Sequence, residues 1–103
     1  MLALTELLGR PAIAADGMRL GAVRDLAVRM DDPYPIVTRL VVRMDRRRTR
    51  TVAWAAVDAL DRAGARIATE SALDDAPVPE GEMLLARDVL DVQIVDVAGR
   101  RLV

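Results

Sequence analysis

The sequence predicts a mainly β protein, a small antiparallel β-barrel of five to six strands with one or two short helical turns. Three observations predict it. Short apolar runs alternate with period two and are separated by Gly, Pro and Asp turn signals. The length, 103 residues, gives room for one small core. One run breaks its alternation in the middle, as a β-bulge does, and bulges help a small sheet curve and close.

The elements follow in order. Residues 12–15 form a short strand, and Asp16-Gly17 is a strong hairpin turn signal. Residues 20–30 form a longer strand with Leu20, Val23, Leu26, Val28 and Met30 apolar. The spacing is two from Leu26 onward but three between Val23 and Leu26, which places the bulge near Arg24-Asp25. Asp25 is then placed to cap backbone N–H groups there. Residues 31–35 hold two prolines and read as a loop. In the strand at 36–44, Ile36, Thr38, Leu40 and Val42 share one face. Residues 45–48 are a charged turn, and 49–54 a strand that ends on Trp54, read as a core plug. A helical turn is expected over 55–60, a strand over 65–69, a loop over 71–81, a short helix over 83–91 and a last strand over 92–97.

Composition narrows the chemistry. Net charge is −1, so nothing pulls the whole chain toward nucleic acid or an anionic membrane. There is no Cys and no His, which excludes disulfides, Cys/His zinc sites, thiol nucleophiles and imidazole acid–base catalysis. Ser71 has no His or Lys to activate it as a nucleophile. No Gly-rich phosphate loop is present. The expectation is a protein that is not an enzyme and holds no cofactor. No stretch approaches the length of a membrane span.

Two charged regions stand out. Arg43, Arg46, Arg47, Arg48 and Arg50 surround Asp45, a local charge of +4. The plain reading is a solvated hairpin tip. The functional reading is a patch for an anionic partner: lipid headgroups, an acidic protein surface or RNA. Tyr34 and Trp54 supply too little aromatic surface for base stacking. Residues 70–96 carry a local charge of −7. Paired carboxylates there could hold Mg²⁺, but the spacing fits no defined site and no metal ligand is assigned. The two regions could also attract each other, within or between subunits.

Residues 1–21 align with 83–103 at an offset of 82. Leu2, Leu8, Gly17, Arg19 and Leu20 match Leu84, Leu90, Gly99, Arg101 and Leu102. The expected organisation is a first unit at 1–82 and the start of a second, truncated copy at 83–103. In that reading the chain is a piece of a longer protein or a natural truncation. The strand at 92–97 would lack its hairpin partner, and a bare apolar edge invites pairing. It can fold back onto the first unit or pair with a second molecule; a homodimer through Gln93, Ile94, Val95 and Val97 is the favoured expectation.

The run Leu7-Leu8-Gly9-Arg10-Pro11, with Asp16-Gly17-Met18-Arg19-Leu20-Gly21-Ala22-Val23-Arg24-Asp25-Leu26, resembles the opening of a PRC-barrel domain. That family is named for the H subunit of photosynthetic reaction centres and includes the C-terminal domain of RimM-type ribosome maturation factors. Val52-Ala53-Trp54-Ala55-Ala56-Val57 resembles a later strand and turn of the same family, with Ala in place of its Pro and Ser. The segment 84–103, opening Leu84-Leu85-Ala86-Arg87-Asp88-Val89-Leu90-Asp91, is similar to PRC-barrel regions that precede MgtE-type magnesium transporter domains and CBS domains. The resemblance implies a cytoplasmic, non-catalytic interaction or assembly module of a magnesium transporter-related protein. The alternative it implies is a RimM-like adaptor that binds a ribosomal protein.

Overall fold

The computed structural model describes residues 2–30, 35–45, 48–88, 93–96 and 101–102. Its strands are β1 (Leu2–Ala3), β2 (Pro11–Ala14), β3 (Arg19–Arg29), β4 (Ile36–Arg43), β5 (Thr49–Ala53), β6 (Val57–Asp61), β7 (Gly64–Ile67), β8 (Leu73–Asp74), β9 (Glu82–Leu84), β10 (Gln93–Asp96) and β11 (Arg101–Leu102). Two one-turn α-helices, α1 (Leu4–Leu7) and α2 (Leu85–Asp88), interrupt them. The protein is mainly β, as the alternation predicts. The strands are more numerous and shorter than expected, and among the described residues the sheet does not close into a barrel.

The hairpin at Asp16-Gly17 forms as its turn chemistry dictates. Gly17 takes a φ of 89°, which a side chain would resist, and the Met18 N–H donates to Asp16 Oδ1 at 2.9 Å. The bulge is present too: the β3–β4 register shifts between Val23 and Asp25.

β3 organises the molecule. β4 fills one of its edges along residues 22–29. The other edge must therefore serve both β2, which pairs at residues 19–22, and β9, which pairs at 27–29. The bulge lies where one partner gives way to the other. β4 does the same in turn, pairing β5 along residues 39–43 and β11 at Ile36.

The barrel fails to close for a local reason. β6 ends the ladder with β7 as its partner, and β5 borders β8. Between β5 and β6 the chain turns a corner through a 3₁₀ turn, Trp54–Ala56. The Ala68 N–H donates to the Ala56 carbonyl at 2.9 Å there. A corner stands where a closed barrel has a ladder. Trp54 is buried behind it, in one cluster with Leu4, Leu7, Leu26, Leu40, Val52 and Ile67. The helical turn expected over 55–60 is therefore a shorter turn followed by a strand. The helix expected over 83–91 starts instead as β9, because its first residues complete the edge of β3; residues 89–91 lie outside the described residues.

Element order is similar in the two aligned segments. β1, α1, β2 and β3 recur as β9, α2, β10 and β11, and β10 lies 82 residues after β2. Both edges of β10 are taken within the chain, Leu2 opposing Ile94 on one side and Leu102 opposing Ile94 on the other. Of the two courses open to residues 92–97, this is the fold-back. The edge on which the dimer expectation rested is paired within the chain at Gln93, Ile94 and Asp96, with β1 on one side and β11 on the other. Val97 lies outside the described residues.

Candidate functional site

Strand register gathers arginines at one end of the sheet. Arg19 opens β3, Arg43 closes β4 opposite Ala22, and Arg50 near the start of β5 opposes Val42. Three neighbouring strands thus bring basic side chains to the end where the β4–β5 turn lies. That turn is tied by backbone: the Met44 N–H donates to the Arg48 carbonyl at 2.9 Å, and the Arg48 N–H to Asp45 Oδ1 at 2.9 Å. Of the five arginines singled out in the sequence, Arg48 and Arg50 share a partner in Asp75, whereas Arg43 is on the opposite face of the hairpin, since Arg50 opposes its neighbour Val42. Arg46 and Arg47 lie outside the described residues.

The arginines do not all face open water. Arg50 shares the core face of β5 with Val52, so its stem is sheltered and its side chain is 24% exposed. Its guanidinium grips Asp75 like a fork, Nε to Oδ1 at 2.8 Å and Nη2 to Oδ2 at 3.3 Å. Arg48 Nη2 adds bonds to the same oxygens at 3.3 and 3.4 Å. Asp75 itself is 62% exposed. Its hydrogen bond from Arg50 is the largest influence on it and, with Arg48, holds its carboxyl below the usual aspartate range, against a smaller opposing effect of lost hydration. The basic and acidic regions of the sequence thus meet within one chain at this point. Arg39 and Glu82 meet likewise at 3.3 Å, linking β4 to β9.

Near the β4–β5 turn an open cleft of about 340 Å³ is lined by Arg19, Gly21, Ala22, Arg43, Met44 and Asp45. Arg43 Nε donates to the Asp45 carbonyl at 3.2 Å. Arg19 is exposed and has no acidic partner among the described residues. The sequence reading missed Arg19, which is far from the others along the chain. The fold places it with Arg43 in the wall of this cleft.

Among the described residues no group of three or more acids is placed to hold a metal ion. Asp75 faces arginines, Glu82 faces Arg39, and Asp74 Oδ1 accepts from the Ala76 N–H at 2.9 Å in a local turn. The Ser71 hydroxyl is engaged with Thr69 at 2.7 Å. No helix among the described residues is long and apolar enough to cross a membrane. No protein-family model, curated protein or solved structure matches the chain.

Proposed function

We propose that the chain is a non-catalytic interaction module and that the basic end of its sheet receives an acidic segment of a protein partner. The observation that carries this is the grip of Arg48 and Arg50 on a single carboxylate, at the end of the sheet where Arg19 and Arg43 line an open cleft. The carboxylate of Asp75 already fits the Arg48–Arg50 pair, so a carboxylate is the anion this geometry suits. Nucleic acid is less well matched by a chain of net charge −1 with two aromatic residues. A second copy of the chain is less well supported than another protein, since β10 is paired on both edges.

The family reading belongs to the same proposal. The Asp16-Gly17 hairpin, the bulged β3 and the buried Trp54 are features that a PRC-type module would have, and the open sheet is a departure from it. In that setting the module would serve on the cytoplasmic side, in the assembly or regulation of an MgtE/CBS-type magnesium transporter-related protein. The RimM-like adaptor for a ribosomal protein is the alternative.

Fluorescence anisotropy with a labelled oligoglutamate peptide tests the binding claim. The wild-type chain is expected to bind it in a salt-sensitive manner, and Arg43→Gln with Arg50→Gln to weaken binding roughly 10-fold. Equal affinity in the two proteins, or equal affinity for oligolysine, would refute it.

A further inference from the structure

Asp75 occupies the position that a bound acidic segment would use. β8 pairs with β5 in antiparallel register, Val52 opposite Leu73 and Thr51 opposite Asp74. One step further along the same register sets Arg50 opposite Asp75. The two-residue strand ends there, and the chain leaves β5 through Ala76-Pro77-Val78-Pro79, whose prolines do not extend a ladder. The carboxylate that remains against Arg48 and Arg50 makes four hydrogen bonds, yet it stands on a loop and is 62% exposed. Such a contact is well formed and easily displaced. The arginines are placed differently. Both belong to the β4–β5 hairpin, and Arg50 is held by a sheltered stem.

We propose that Asp75 is a built-in competitor: it closes the Arg48–Arg50 site, and an acidic partner segment binds by displacing it. This rests on the acidic-segment reading and adds its regulation. The incoming segment places one of its own carboxylates where Asp75 sits. The loop at 75–81 supplies the give. It ends at Gly81, with φ of 91°, just before β9 resumes pairing with β3. Displacing Asp75 leaves β8 and β9 paired on either side.

The arithmetic is that of a site open for only a fraction of the time. Apparent affinity falls by that fraction, so removing the competitor restores it. The test is the same oligoglutamate titration on the full chain with Asp75→Ala, with melting curves to show that the variant is folded. Asp75→Ala is expected to bind about 5–10-fold more tightly than wild type. Adding Arg50→Gln to it is expected to abolish the gain. Wild type and Asp75→Ala binding equally, with both losing affinity on Arg50→Gln, would overturn the competitor and leave the acidic-segment reading standing. Weaker binding by Asp75→Ala would overturn it as well. No binding by either protein would overturn both.

Discussion

Asp25 shows how one side chain settles a backbone account. At the bulge of β3 the outer edge has left β2 and not yet reached β9, so the Leu26 N–H has no strand partner there. Asp25 Oδ1 accepts it at 2.7 Å and accepts the Ala86 N–H, in the first turn of α2, at 2.6 Å. The carboxylate is 3% exposed and joins the two halves of the repeat. Asp25→Ala is expected to cost about 2–4 kcal/mol, since two sheltered donors lose their acceptor. Amide exchange should quicken at Leu26 and Ala86 in particular; uniform quickening would show a general loss of packing instead. The sequence disclosed half of this. The broken alternation located the bulge and made Asp25 a cap, but the bond to Ala86 spans 61 residues and leaves no local trace. Trp54, 6% exposed, was legible outright, because a lone large aromatic at a strand end must be covered. Trp54→Ala is expected to cost about 3–5 kcal/mol in denaturant unfolding. A midpoint within error of the wild type would remove Trp54 from the core. Thr51 is the opposite case: its hydroxyl is buried with no partner among the described residues, and nothing in its neighbours announces that.

Among the elements, the strands missed in the sequence are those whose period is disturbed or whose partner is remote. Trp54, Val57 and Leu60 recur at a spacing of three, which reads as a helical turn. The cause is another register shift: the β6–β7 pairing slips between Val57 and Ala59, so a strand carries a helix-like interval. β8 and β9 are two and three residues long and exist because edges of β5 and β3 stand open to them. β7 has a different constraint. It pairs with β2 in parallel, and its first residue, Gly64, has φ of 132° with the Pro11 carbonyl where a Cβ would stand. Gly64→Ala is expected to cost more than the ~1–3 kcal/mol typical of backbone strain, because the clash adds to it. Because Gly64 pairs with Asp61 at the β6–β7 turn, the loss should appear first in β6 and β7, as early exchange of their amides. An unchanged melting midpoint would show that β2 and β7 lie farther apart than described.

For the whole molecule, the charge balance of −1 conceals a separation that the fold partly cancels and partly keeps. Asp75 and Glu82 bring the acidic region onto Arg50 and Arg39, while Arg19 and the Arg43 cleft stay open. The basic patch was legible as a run of arginines. Its surroundings were not, because the fold, not sequence proximity, sets Arg19 beside Arg43 and Asp75 against Arg48 and Arg50. The sequence left two courses open to its last strand, and the pairing of β10, β9 and β11 with β1, β3 and β4 takes the fold-back. The central claim is that this end of the sheet is a binding surface for an acidic segment. Backbone amide chemical-shift mapping during titration with the oligoglutamate peptide tests it most directly. The account predicts perturbations concentrated at Arg19, Gly21, Arg43, Arg48–Arg50 and Asp75, fading as salt is raised. Perturbations centred on the β6 edge, or none at all, would contradict it.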